Sequence, residues 1–310
     1  MDRVAFIREK AGKNQKLIAL PEYKDKRVID AVRIIESEKI AKVLFLTPDR
    51  MDPTEKDRYI GEFYEARKAK GVTLEQVKEM FRDPLWYAAM LCRDGKVDGY
   101  VAGASHTTAD MVRSAIYCVG IDPRFTIASS CFFMIVPDPA YGEEGTFIFA
   151  DCAVIPDPNP RQLSCIAVAA AELSAKVLGV DSRIAFLSYS THGSAQGKSI
   201  EKVQAAVQEM KNIAPPGMLY DGEMQVDAAI VPAVADIKFP NSPIHGRANV
   251  LIFPNLEAGN IAYKIVERLA HARAIGPLLM GIKRPCSDLS RGCSAEDVAD
   301  CVAVTAIRAA

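Results

Sequence analysis

The sequence predicts an α/β protein of two domains built on mostly parallel sheets. Three observations carry that prediction. Apolar, β-branched runs alternate with amphipathic helical patterns nearly from end to end, as in parallel units where each strand is followed by a helix. Several runs are apolar on both faces, which suits strands covered by helices on two sides. The length, 310 residues, exceeds the common single-domain range.

Taken along the chain, short apolar runs place strands at 17–20, 43–46, 99–102, 125–136, 146–150, 184–188, 228–231, 250–253 and 277–281. Amphipathic stretches between them place helices at 26–37, 56–68, 83–92, 161–178, 200–213, 259–273 and 295–308. One pair breaks the strand–helix rhythm. The apolar runs 125–136 and 146–154 are joined directly by 137–145, rich in proline, glycine and acidic turn residues. That pair reads as an antiparallel hairpin at a sheet edge. A composition shift at Asp122-Pro123 marks a candidate domain boundary.

Composition narrows the function. With 38 basic and 39 acidic residues the net charge is −1, so neither nucleic acid nor an anionic membrane is expected as partner. A hydrophobic share of 49% supports a large core without staples. No run is long enough to span a bilayer, and the charged N-terminal stretch has no apolar signal region. The eight cysteines form no CxxC pair and sit mostly in apolar runs, which reads as reduced thiols in the cytoplasm. The four histidines are scattered, without metal-ligand spacing, so no protein-ligated metal is expected.

Ligands of doubly wound sheets bind where strands end and helices begin. Four such junctions here carry glycine or small polar residues: 103–108, followed by Arg113; 188–194; 253–260; and 287–294, which contains Arg291. Each is expected to offer open backbone N–H groups and hydroxyls at a helix N-terminus, an anion site. Ser105, Thr108, Ser194 and Asn260 are their candidate substrate-binding groups. Any one junction alone is more often an ordinary cap; the four together, two with an arginine, point to a phosphate-bearing ligand.

Gly193-Ser194-Ala195-Gln196-Gly197-Lys198-Ser199 approaches a phosphate-binding loop of the nucleotide hydrolases but is one residue short between its glycines. No GxGxxG fingerprint follows a strand either. Ser294-Ala295-Glu296-Asp297 fits a capping box, and spacing alone favours an Asp297 that only satisfies a helix end. Arg67 closes a basic helix end, and spacing favours a solvated face. Arg291, before a glycine in a tight loop, is harder to explain that way. A guanidinium there can bind phosphate or carboxylate through two hydrogen bonds, which lysine cannot do.

At this point the residues resemble a known family. The segments LSYSTHGSA, DGEMQVDAAIVP, ANVLIFPNLEAGNIAYKI and DLSRGCSAED, in that order, resemble phosphate acetyltransferases of the phosphate acetyl/butyryltransferase family. The resemblance covers nearly the whole chain. It implies two three-layer α/β/α domains, the second inserted into the first: 1–128 with 287–310, and 129–286, with the active-site cleft between them. It also implies a cytoplasmic homodimer that needs no cofactor, with coenzyme A and acetyl phosphate as substrates.

Carried over residue by residue, the resemblance places the catalytic aspartate on Asp297 and a serine–arginine pair on Ser290 and Arg291. It places two substrate-binding arginines on Arg67 and Arg113. Asp297 would take the proton of the coenzyme A thiol, Arg291 would bind acetyl phosphate, and Ser290 would hydrogen-bond the thiol or the oxyanion. Arg67 and Arg113 would hold coenzyme A phosphates. The alternatives kept open are a covalent acetyl-Cys293 intermediate, a preference for butyryl or propionyl groups, a non-catalytic regulatory module and a nicotinamide-dependent dehydrogenase.

Overall fold

The computed structural model describes residues 2–310. The chain divides into two compact units, one of residues up to Ile121 with Ile282–Ala310, the other of Asp122–Gly281. The breaks fall at 121/122 and 281/282, against the 128/129 and 286/287 implied by the resemblance. The first lies at the composition shift of Asp122-Pro123.

The first unit begins with α1 (Arg3–Gly12), β1 (Leu17–Leu20), α2 (Lys26–Ser37), β2 (Lys42–Phe45), α3 (Pro53–Arg67), α4 (Leu74–Met80), α5 (Pro84–Arg93), β3 (Gly99–Val101) and α6 (Thr108–Ser114). The second unit holds β4 (Ser129–Ile135), β5 (Thr146–Ala150), α7 (Pro160–Leu178), β6 (Arg183–Leu187), α8 (Lys198–Ile213), β7 (Leu219–Met224), α9 (Val226–Ile230), α10 (Pro232–Lys238), β8 (Val250–Ile252), α11 (Leu256–Leu269) and β9 (Arg273–Met280). The chain then returns to the first unit with β10 (Cys286–Ser287) and α12 (Ala295–Ala309).

In the first unit the strands run parallel in the order β2-β1-β3-β10. The register sets Tyr100 and Val101 of β3 beside Cys286 and Ser287 of β10, and Ile18 of β1 beside Gly99. The loops that leave β1, β3 and β10 therefore emerge side by side at one edge. Helix α12 packs on α1, α2 and β3, while α5 packs on β3, α3, α6 and the turn after α6. Ten consecutive residues of α12, Val298 to Ile307, are buried. Burying a valine or leucine is worth roughly 1.5–3 kcal/mol, so this helix is a fixed post for the residues at its N-terminus.

In the second unit the order is β9-β4-β5-β8-β6-β7. Strands β5, β8, β6 and β7 are parallel, and β4 runs antiparallel to both β5 and β9. Helices α7 and α11 each contact β4, β5 and β9. Phe132, Met134, Phe149 and Tyr263 share the core beneath α11, with Phe132 stacked on Tyr263 at 4.1 Å. Asn159 starts α7 through a reciprocal capping box with Gln162, and Gly179 ends it in a left-handed turn.

Three expectations are corrected. The β4–β5 hairpin forms, but in the interior of the sheet, because the later strand β9 adds beside β4. The strand expected at 228–231 is helix α9; its short apolar run does not separate strand from helix by period. The strand of that region is β7, hidden by its polar Asp221-Gly222-Glu223 centre. Gly222 is required there: a Cβ would stand 2.7 Å from the Phe186 carbonyl oxygen at φ +150°. Finally, α11 ends at Leu269, before the expected 273, and β9 begins at Arg273.

Candidate active site

The site of the first unit is built from the three loops that follow β1, β3 and β10. Its floor is Glu22, directly after β1 and buried. The carboxylate accepts the backbone N–H groups of Ala104 (2.9 Å), Ser105 (2.7 Å) and His106 (3.0 Å), and the Ser105 hydroxyl at 2.9 Å. The His106 ring bridges Glu22 and Asp83, with Nδ1 and Nε2 each 2.8 Å from a carboxylate oxygen. Burial opposes charge on both partners, yet the hydrogen bonds win: Glu22 is lowered to about 2 and His106 raised to about 10. His106 is therefore an imidazolium held between two carboxylates. A cavity of about 400 Å³ lies against this loop, lined by Glu22, Lys24, Asp25, Arg82, Asp83 and His106 among others.

The expectation of open N–H donors at 103–108 is thus corrected, because the chain supplies its own anion. The second unit repeats the device. Glu223, at the end of β7, accepts from the Gly193 N–H at 2.8 Å, the Ser190 hydroxyl at 2.9 Å and the Gln204 amide at 2.9 Å. Asp151, after β5, accepts the N–H groups of Ala153, Val154 and Ile155. An interior carboxylate on a turn of N–H groups shapes a strand-end loop without an external ligand.

The loop after β10 lies beside the loop after β3. Gly103, at φ +117°, passes so close that a Cβ would stand 2.1 Å from Asp288 Oδ1 and 2.5 Å from the Leu289 nitrogen. Asp288 is buried, and burial pushes its carboxyl up to about 7. Beyond it the turn exposes Ser290 and Arg291. The Ser290 Oγ accepts the Gly292 N–H at 3.2 Å. The Arg291 guanidinium has no hydrogen bond or ion pair among the described residues. Cys293 faces inward, buried, and burial pushes its thiol up to about 11. Ser294 then caps α12. Its hydroxyl accepts the Asp297 N–H at 3.2 Å, while Asp297 Oδ2 accepts both the N–H and the hydroxyl of Ser294 at 2.8 Å. Asp297 is a full capping-box partner and half-buried.

One arginine lies on α6 and another, at the end of α3, lies against the turn that follows it. Arg113 is exposed on the last turn of α6, 3.1 Å from Asp110. Arg67 stacks on the Tyr117 ring at 3.7 Å, and Tyr117 follows Arg113 by four residues on the same helical face. Neither arginine is locked in a buried pair, so both keep guanidinium donors for a ligand. Thr108 is the first residue of α6.

Arg67, Ser105, Thr108, Arg113, Ser290, Arg291 and Asp297 all belong to the first unit. Ser194 and Asn260 belong to the second. The Ser194 hydroxyl accepts the Thr191 N–H at 3.0 Å. The Asn260 amide donates to the Cys152 carbonyl at 2.9 Å and accepts from Lys264 at 2.6 Å. Four residues of the site were not singled out from sequence: Glu22, Asp83, Arg27 and His106. The signal was position, since Glu22 and Arg27 flank the β1–α2 junction in the way Ser105 and Arg291 flank theirs. Among the described residues no group of three His, Cys, Asp or Glu side chains is placed to hold a metal ion, and no helix is long and apolar enough to cross a membrane.

The fold and this site define a doubly wound α/β protein whose loop after β10 presents the guanidinium of Arg291, without an ion-pair partner among the described residues. Residues 4–306 match the phosphate acetyl/butaryl transferase family. A phosphate acetyltransferase of Thermoanaerobacterium thermosaccharolyticum is 45% identical, with all of both chains covered. One from Clostridium acetobutylicum is 42% identical over all of this chain and 99% of its own. The crystal structure of a phosphotransacetylase from Streptococcus pyogenes superposes with a TM-score of 0.89 at 36% identity, over all of this chain and 99% of its own. The chain belongs to the phosphate acetyl/butaryl transferase family.

Proposed function

We propose that the protein transfers an acetyl group between acetyl phosphate and coenzyme A, by direct attack of the thiolate in a ternary complex. The observation that carries this reading is the Arg291 guanidinium: exposed, without a carboxylate partner among the described residues, on the turn that leads to Asp297. A free guanidinium in a fixed turn is suited to a phosphate group and to charge growing on a carbonyl oxygen.

The thiol proton passes to Asp297. The sulfur–carbonyl carbon bond forms, the carbon–oxygen bond to phosphate breaks, and phosphate leaves with the bonding pair. An ordinary thiol and an ordinary aspartate differ by about 4.6 pH units, so the proton moves uphill by roughly 6 kcal/mol. A turnover near 10 per second allows a barrier of about 16 kcal/mol, which accommodates that step. Ser290 hydrogen-bonds the thiol or the oxyanion. Arg67 and Arg113 hold the phosphates of coenzyme A. Ser105 and Thr108 are further candidate contacts within the first unit, and Ser194 and Asn260 are candidates within the second. Burial of the Cys293 thiol, which keeps it protonated, supports direct attack over a covalent acetyl-cysteine. The reading includes a homodimer, no cofactor and, from eight buried free thiols, a cytoplasmic location.

The test is thioester formation, followed by ultraviolet absorbance, with acetyl, propionyl and butyryl phosphate as donors to coenzyme A. Acetyl phosphate is expected to give the highest kcat/KM. No thioester with any donor would remove the proposal, and a butyryl preference would move it to the longer-chain reaction.

A further inference from the structure

We infer that Arg27 is a positioning residue, which sets the turn from which Arg291 acts. The inference rests on the proposed role of Arg291. Arg27 stands on the first turn of α2, and its guanidinium joins all three loops of the site. Nε and Nη2 form a fork on Asp25 at 3.0 and 2.6 Å. Nη2 also donates to the Ala104 carbonyl at 2.6 Å. Nη1 donates to the Arg291 carbonyl at 2.6 Å and to the Cys293 carbonyl at 3.2 Å, and stands 3.8 Å from the Cys293 sulfur.

Each contact has a consequence. The fork on Asp25 fixes the guanidinium plane, because two parallel hydrogen bonds to a carboxylate remove its rotation. Asp25 is itself fixed, since its Oδ1 accepts the Arg27 N–H as the N-cap of α2. The remaining donors then point in set directions. One meets Ala104, whose own N–H is held by Glu22. The other grips the Ser290–Cys293 turn at two carbonyls. Among the described residues no other side chain donates to either carbonyl. The Arg291 carbonyl and side chain share one Cα, so fixing the carbonyl restricts where the guanidinium of Arg291 starts. A lysine could keep the charge and one contact, but not a planar set of donors aimed at three loops.

The test uses the full-length protein with Arg27→Gln and Arg27→Lys, measuring kcat, the KM values for coenzyme A and acetyl phosphate, and the thermal midpoint. Arg27→Gln is expected to lower kcat roughly 30-fold, about the factor lost with a well-placed charged hydrogen bond. Both KM values should stay within about threefold, and millimolar guanidinium should restore roughly tenfold of the loss, which a general structural defect would not allow. Arg27→Lys is expected to recover less than a third of the parent kcat with the fold intact; it carries the test should Arg27→Gln not fold. A kcat within threefold of the parent in both variants overturns the inference. So does a loss confined to the KM for coenzyme A, which would make Arg27 a substrate ligand. Arg291→Ala is measured alongside: unchanged turnover there removes the proposed role of Arg291, and the inference with it. An inactive Arg291→Ala beside a fully active Arg27→Gln removes the inference alone.

Discussion

The Nδ1 of His106 stands 2.8 Å from Oε1 of Glu22, and its Nε2 stands 2.8 Å from Asp83. This bracket joins the loops after β1 and β3 to the start of α5, and its charge state sets its strength. His106 is raised from an ordinary 6.5 to about 10. Its contribution is therefore complete below pH 6.5 and lost as pH rises towards 10. Glu22 is lowered from 4.5 to about 2, so its contribution is complete above pH 4.5 and lost as pH falls towards 2. The two windows do not overlap. Urea denaturation between pH 6.5 and 10 should show stability falling with pH in the parent, and a shallower fall in His106→Gln. Identical slopes would show that the imidazolium does not stabilise the fold.

Asp297 has two tasks that can be separated. As the N3 residue of a capping box it accepts from Ser294, and an asparagine oxygen can accept the same bonds. As a base it needs a carboxylate. Asp297→Asn is therefore expected to keep its thermal midpoint within a few degrees while kcat falls by about 100-fold or more, the usual loss on removing a general base. Ser294→Ala should do the reverse and cost about 1 kcal/mol of stability. Normal turnover in Asp297→Asn would leave Asp297 as a cap alone.

Arg67, at the end of α3, stacks on the ring of Tyr117, which follows Arg113 by four residues, so the two arginines should act on one part of the substrate. Arg113→Ala is expected to raise the KM for coenzyme A about tenfold, as for one charge-assisted hydrogen bond, and that for acetyl phosphate much less. Steady-state kinetics with each substrate varied in turn distinguishes them. The opposite pattern would assign Arg113 to the acyl phosphate.

The outline of the fold was legible because it depends on local pattern. The capping box at Ser294 and the apolar runs of β5 and β8 announce themselves. What was not legible depends on partners distant in sequence. The interior place of β4 follows from β9, more than a hundred residues later, and no local signal predicts it. The polar centre of β7 reads as a loop until Glu223 is seen to hold the Ser190–Gly193 turn. The site shows the same division. Ser290, Arg291 and Asp297 are close in sequence and carried a recognisable motif. Glu22 and Arg27 serve loops 83 and 264 residues away, and their spacing says nothing of it. The junctions at 103–108 and 188–194 read as open anion sites because their donors were visible and the carboxylates of Glu22 and Glu223 that occupy them were not.

Cys293 offers the last discrimination. It lies within hydrogen-bonding distance of Arg27 through sulfur, which favours a thiolate, but burial dominates and Asp297, Asp25 and Glu22 add negative charge around it. The thiol, at about 11, is protonated throughout the working range, and a protonated, inward-facing sulfur is a poor nucleophile. Cys293→Ala is therefore expected to keep kcat within about threefold, its cost appearing as a modest drop in thermal midpoint from the lost packing. Rapid quenching of the parent with acetyl phosphate alone should trap no acetyl-protein by mass spectrometry. An inactive, folded Cys293→Ala together with a trapped acetyl-Cys293 would establish the covalent route, and Asp297 would then have to act on the departing or entering thiol of coenzyme A at a second step.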